Sequence, residues 1–161
     1  MKNKSLLFMM QSAMIAALYV VLTFLFAPFS FGSIQVRIAE ALTVLPFFTP
    51  SAIPGLFIGC LVGNLLGGAA LPDIIFGGLA TLIGALFTHF LRKKTKFLAP
   101  IPPIISNTII IPLVLRFAYG TNLPLPYMAL TIGVGEIISC GVLGMILLMS
   151  LEKYRYKLFK N

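Results

Sequence analysis

Residues 6–27 run for 22 positions without a charged side chain. As a helix rising 1.5 Å per residue, that run is about 33 Å long, enough to cross a bilayer. The basic residues Lys2 and Lys4 precede it, as in a signal peptide. The apolar core of a signal peptide, however, is only about 7–15 residues long. The run therefore reads as a retained first membrane helix. The rest of the chain is equally poor in charge: 10% of residues are charged and 59% are hydrophobic, whereas soluble domains are about 25% charged. A soluble core could not hide so much apolar surface, so the solvent must be lipid. The length fits a single membrane domain, 1–161.

Proline, glycine and charge divide the sequence into six helices, at about 5–27, 36–48, 54–67, 72–91, 103–119 and 127–151. Pro28 ends the first, Pro50 and Pro54 bracket a tight turn between the second and third, and the basic run Arg92-Lys93-Lys94-Thr95-Lys96 separates the fourth and fifth. The second and third helices are short for spanning elements, so they form either a tilted pair or a re-entrant hairpin. Ten of the twelve Lys and Arg fall in the N-terminal stretch, the 92–96 loop and the tail at 153–160. Six crossings put all three on one side, which the positive-inside rule makes the cytoplasm, with both termini there. The net charge of +8 thus points to anionic lipid headgroups rather than to nucleic acid, for which no reading motif is present. Cys60 and Cys140 lie inside apolar spans, with neither a disulfide framework nor zinc spacing, and read as small core residues. No metal or cofactor is expected.

Candidate functional residues stand out because a charge beside hydrocarbon is costly, at least about 2.5–3.5 kcal/mol, and is usually functional or paired. Three of the four acidic residues are Glu40, Asp73 and Glu136. Arg37 and Glu40 are three apart and could form an intrahelical ion pair, with Arg37 near the interface. Asp73 falls in the first turn of the fourth helix, where the helix dipole favours it and where it could cap. Asn107 and Glu136 fall deep in the fifth and sixth helices. Asn64 sits beside a ridge of Gly55, Gly59, Gly63 and Gly67, whose four-residue spacing suits close helix packing. Arg37, Glu40, Asn64, Asp73 and Arg116 are expected near the outer ends of their helices, converging on one face, with Arg116 read as snorkelling outward. Phe29, Phe31 and Tyr119 could lid a pocket there or form an interfacial aromatic belt. His89, three residues before the basic loop, reads as structural. An enzyme would pair a nucleophile with a base, and no such pair is found. Without a phosphate-binding glycine loop the chain does not bind ATP in that way.

The stretch Val36-Arg37-Ile38-Ala39-Glu40-Ala41-Leu42, then Pro46-Phe47-Phe48, Pro54-Gly55-Leu56, Gly59, Gly63-Asn64 and Asp73, resembles the substrate-binding S component of energy-coupling factor (ECF) transporters, most closely the QueT-type family assigned to queuosine precursors. The resemblance covers nearly the whole chain. It implies an all-α integral membrane six-helix bundle of the ECF S-component type, with cytoplasmic termini, in the cell membrane. It also implies a substrate-binding subunit for a 7-deazaguanine, energised by a coupling transmembrane subunit and two ATPase subunits. Ala13 and Ala17 match the family's A-x-x-x-A motif, which docks on the coupling subunit. Candidate substrate ligands are Glu136, Glu40, Asn64, Asn107, Asp73 and Arg37. The alternatives are an S component for another vitamin-like solute, or a self-sufficient small channel or enzyme.

The charge pattern makes a direct prediction. A cysteine introduced as Lys94→Cys or Lys157→Cys should be shielded from an impermeant thiol reagent outside whole cells, whereas Asn122→Cys should react. Labelling at 94 but not at 122 would reverse the topology.

Overall fold

The computed structural model describes residues 2–26 and 36–154. Among them every regular element is helical. In chain order these are α1 (Lys2–Leu25), α2 (Ile38–Phe47), α3 (Ala52–Leu66), α4 (Leu71–Leu91), α5 (Ile101–Ala118) and α6 (Leu125–Glu152), with one short 3-10 turn at Lys96–Leu98 before α5. α1, α4, α6 and the span Lys96–Ala118 that contains α5 are long and apolar enough to cross a membrane. α2 and α3 are not.

α2 and α3 instead form a hairpin, with α2 buried in the bundle and α3 packed against α1 and α4 with one face exposed. α2 is a ten-residue 3-10 helix. At about 2.0 Å per residue it reaches about 20 Å, close to the roughly 22 Å of the fifteen-residue α-helix α3. Stretching the shorter limb matches the two lengths. The turn between them is buried at Thr49 and Ser51. Local bonds satisfy its backbone: the Thr49 N–H donates to the Leu45 carbonyl, the Ala52 N–H to the Thr49 carbonyl and the Ile53 N–H to the Pro50 carbonyl. α1 adds side-chain ties: Ser12 Oγ donates to the Ser51 carbonyl at 2.8 Å, and Ser51 Oγ donates to Gln11 Oε1 at 2.9 Å.

The glycine ridge is a packing device. A Cβ on Gly55 would stand 2.7 Å from the Ser12 carbonyl oxygen, and one on Gly59 would stand 2.8 Å from Tyr19 Cβ and 3.1 Å from Ala16 Cα. α1 and α3 therefore touch backbone to backbone, with Ile15, Tyr19 and Leu56 buried in the shared core. On α6, Gly144 performs the same service, since a Cβ there would lie 2.9 Å from Val44 of α2.

Side-chain contacts tie the two ends of the bundle. At one end Lys96 Nζ meets Glu152 Oε2 at 2.7 Å, the one ion pair among the described residues. Thr88 Oγ1 donates to the Ala99 carbonyl at 2.8 Å, and the His89 ring bonds the Pro46 carbonyl through Nδ1 at 2.8 Å. His89 is thus a structural tie between α4 and the foot of α2. At the other end, Tyr119 links α5 to the start of α4.

The packing distances predict unequal costs along the ridge. Gly59→Ala forces α1 and α3 apart and should destabilise the protein by about 1–3 kcal/mol. Gly63→Ala, whose Cβ would meet only Thr23 side-chain atoms at 3.4 Å or more, should cost less than about 1 kcal/mol. Thermal unfolding in detergent reads the difference, and equal costs would contradict the packing assigned to Gly59.

Candidate functional site

Charged and polar side chains from all six helices meet in one column inside the bundle. α1 supplies Tyr19, α2 Glu40, α3 Asn64, α4 Asp73, α5 Asn107 and α6 Glu136, each at most 5% exposed. Glu136 lies eleven residues into α6, about 16 Å from its start. Glu40 lies only two residues into α2. A carboxylate oxygen of Glu40, one of Glu136 and the Cys140 sulfur nevertheless lie within 4.8 Å of one another. α2 therefore begins deep in the bundle.

That inset start corrects two sequence expectations. Arg37 is buried, at 8% exposure, rather than interfacial. It precedes the 3-10 helix in an extended conformation, φ −89° and ψ 95°, so its side chain does not stack above Glu40 as on a regular helix. No Arg37–Glu40 ion pair forms among the described residues. The guanidinium instead lies within electrostatic reach of Tyr19, Cys60, Asp73 and Glu40 together. It is the single Lys or Arg among the described buried residues.

The deep end of the column is a pair of acids held by neutral donors. The Tyr19 hydroxyl donates to Glu40 Oε1. Asn107 Nδ2 donates to Glu136 Oε1 at 3.0 Å, and the Cys140 thiol donates to Glu136 Oε2 at 3.1 Å. Thr43 Oγ1, one 3-10 turn after Glu40, donates to the Glu40 carbonyl at 2.6 Å. Glu40 Oε2 has no partner. The bond from Asn107 gives Glu136 a structural partner, and Glu40 Oε2 beside it is left without one.

The geometry of α6 makes this convergence possible. Residues Ile137–Leu143 form a π-helical segment. A π turn takes more residues per revolution than the roughly 3.6 of an α-helix. Glu136, Cys140 and Gly144 therefore keep facing α2, instead of drifting around the helix as an i, i+4, i+8 row would. π segments recur at functional sites for this reason.

The shallow end holds Asp73 and Asn64. Asp73 does not cap α4; that helix starts after Ala70, and no side chain caps it. Asp73 Oδ2 accepts from the Tyr119 hydroxyl at 2.9 Å, and the same hydroxyl accepts from the Ala70 N–H at 3.0 Å. Asp73 Oδ1 is buried without a partner. Asn64 Nδ2 makes a long contact of 3.6 Å to Cys60 Sγ. Arg116 does not join the column: it is exposed and its guanidinium bonds the Leu123 carbonyl at 3.3 Å. Phe29 and Phe31 lie outside the described residues. Tyr19, Cys140 and Thr43 were not singled out as site residues from the sequence. Nothing distinguishes a tyrosine or cysteine in an apolar helix until its partner is known.

Glu40, Glu136 and Cys140 are the described residues that could approach a metal ion. Three of their four carboxylate oxygens already accept hydrogen bonds from the protein. The donor set therefore suits a hydrogen-bonding organic ligand better than an ion. Elsewhere, a groove of about 610 Å³ between α4 and α5, lined by Pro72, Phe76, Ile83, Val114 and Phe117, offers only hydrocarbon. It suits lipid acyl chains.

The fold and the column define a multi-pass membrane protein built around a buried polar site. The chain belongs to the QueT transporter family, whose model matches residues 9–153. It is 41% identical over 73 residues to the queuosine precursor transporter QueT of Lactococcus lactis subsp. cremoris (strain MG1363). That match covers 44% of this chain and 43% of the relative. No solved structure matches the chain significantly.

The deep pair predicts a measurable cost. Tyr19→Phe removes the hydroxyl that donates to Glu40 at a buried position, which should destabilise the protein by about 1–3 kcal/mol. Thermal unfolding reads it. An unchanged midpoint would remove Tyr19 from the support of Glu40.

Proposed function

We infer that this chain is the substrate-binding S component of an ECF-type importer and carries a queuosine precursor or related 7-deazaguanine. In this reading the chain forms one membrane domain over 1–161, has both termini in the cytoplasm, and is not an enzyme. The observation that carries it is the facing of two buried carboxylates, Glu40 and Glu136, with one oxygen unpartnered. Two facing carboxyl groups present more acceptor positions than the protein's own donors fill. A ligand that brings hydrogen-bond donors or positive charge makes up that shortfall. A 7-deazaguanine carries ring N–H and amino donors, and its aminomethyl form adds an ammonium. Asn107, Asn64, Asp73 and Arg37 complete the set of ligand contacts. Membership of the QueT family and the name of the Lactococcus relative support the substrate class. An S component for another small vitamin-like solute is the second reading, favoured by the same buried donors and acceptors.

Concentrating a solute requires energy, and this reading assigns that work to a coupling transmembrane subunit and two ATPase subunits. Ala13 and Ala17 are exposed, one turn apart on α1, while Ile15 and Tyr19 on its other face are buried. Leu6, Met9, Met10 and Met14 are also exposed. Methionine surfaces adapt to irregular partners, and small residues let a partner backbone come close.

Two variants separate binding from coupling. Glu136→Gln keeps volume and removes the charge. Losing a buried charge contact costs roughly 2–5 kcal/mol, so ligand affinity should fall at least about thirtyfold at about 1.4 kcal/mol per tenfold. Unchanged affinity in a folded Gln variant would remove Glu136 from the site. Ala17→Trp should abolish ATP-driven uptake by the reconstituted complex while leaving ligand affinity nearly unchanged; normal uptake would move the docking face away from α1.

A further inference from the structure

Gly77 lies one turn after Asp73 on α4 and is buried. A Cβ built on it would lie 3.0 Å from Asn64 Nδ2, 3.6 Å from Asp73 Oδ1 and 3.9 Å from Ile111 Cδ1. A carboxamide and a carboxylate oxygen thus flank one spot above the bare helix backbone. Asp73 Oδ1 is buried and unpartnered there, and a buried acceptor without a donor is costly. Asn64 Nδ2 has two N–H donors, and its one described hydrogen bond is the long contact to Cys60. Gly78, the next residue, differs in kind. A Cβ there would strike Leu61 Cδ2 at 2.6 Å, with Phe57 at 3.3 Å, so its smallness serves apolar packing between α3 and α4.

We propose that Gly77, Asn64 and Asp73 form a reading subsite for the edge of a flat heterocycle that carries a ring carbonyl beside a ring N–H. The Asn64 amide donates to the carbonyl oxygen and Asp73 Oδ1 accepts from the neighbouring N–H. The missing Cβ of Gly77 lets the ring edge come down between them, with Ile111 against its apolar part. This places the lactam edge of a 7-deazaguanine at the shallow end of the column. Its remaining donors are left for Glu40 and Glu136 at the deep end. The subsite rests on the transport reading above and goes beyond it by assigning an orientation and a specificity-determining glycine. A site built to hydrogen-bond one edge rejects the analogue with the reversed pattern, because its own buried groups are then left unpaired. Asp73 can only accept when ionised, whereas an asparagine in its place can both donate and accept. Replacement at Asp73 should therefore change selectivity and not only affinity.

The experiment is a calorimetric comparison of two rings on purified protein. One is 7-deazaguanine. The other is 2,6-diamino-7-deazapurine, which has an amino group in place of the carbonyl and no hydrogen on the adjacent ring nitrogen. The native chain should prefer the carbonyl ring by at least about tenfold. Asp73→Asn keeps the size of the side chain and an acceptor for Tyr119, and should shrink that preference to about threefold or less. Gly77→Ala should weaken the carbonyl ring about tenfold and narrow the preference, whereas Gly78→Ala should change thermal stability and leave the preference as it was. If the native chain binds 7-deazaguanine but Asp73→Asn and Gly77→Ala both keep the full preference, the subsite is wrong and the transport reading stands. If the native chain binds both rings equally, the subsite is wrong; if it binds neither, the subsite falls together with the 7-deazaguanine assignment.

Discussion

Three carboxylates and one guanidinium lie inside a bundle whose outer surface is hydrocarbon, and the rest of the structure is arranged around keeping them there. Carrying an ionised side chain into such surroundings costs several kcal/mol unless partners meet it. The protein supplies only part of that partnership. Tyr19, Asn107, Cys140 and Tyr119 hold four of the six carboxylate oxygens, and Glu40 Oε2 and Asp73 Oδ1 remain unpartnered. A core selected only for stability would be more stable with apolar groups of the same volume. In the proposed transport reading, the substrate supplies the partners that these acids lack.

The two departures from α-helical geometry serve this placement. The 3-10 limb α2 covers a long vertical distance with few residues, and its one-in-three periodicity aligns Glu40 with Thr43. The π segment of α6 holds Glu136, Cys140 and Gly144 toward that limb. The glycines then let the limbs sit close enough for the polar atoms to meet. Gly59 seats α3 on α1 beside Tyr19, and Gly144 seats α6 on α2 beside Val44. The contacts that compress the bundle thus also set the spacing of the acids.

How much of this was legible in the sequence follows from the physics of each element. Six membrane-type helices were readable, because runs of lipid-soluble residues broken by proline, glycine and basic loops admit little else. The rarity of charge also marked Glu40, Asp73 and Glu136, and the structure gathers them into one column. Depth was not readable. The residue pattern reads the second helix as an ordinary α-helix and so puts Arg37 and Glu40 near the membrane surface. Its 3-10 form and inset start are tertiary features that a short apolar run does not encode. The first-turn position of Asp73 suits a cap as well as a ligand contact, but Tyr119, 46 residues away, holds it instead. Tyr19 and Cys140 carry no local signal at all.

The most direct measurement is the small molecule that the native chain retains through purification, identified and quantified by mass spectrometry. It should be a 7-deazaguanine at near one per chain. It should be absent from a folded Glu40→Gln, Glu136→Gln double variant purified in parallel. Equal retention by the double variant, or a retained solute without a 7-deazaguanine-like ring, would contradict the assignment of the buried acid pair as the substrate site.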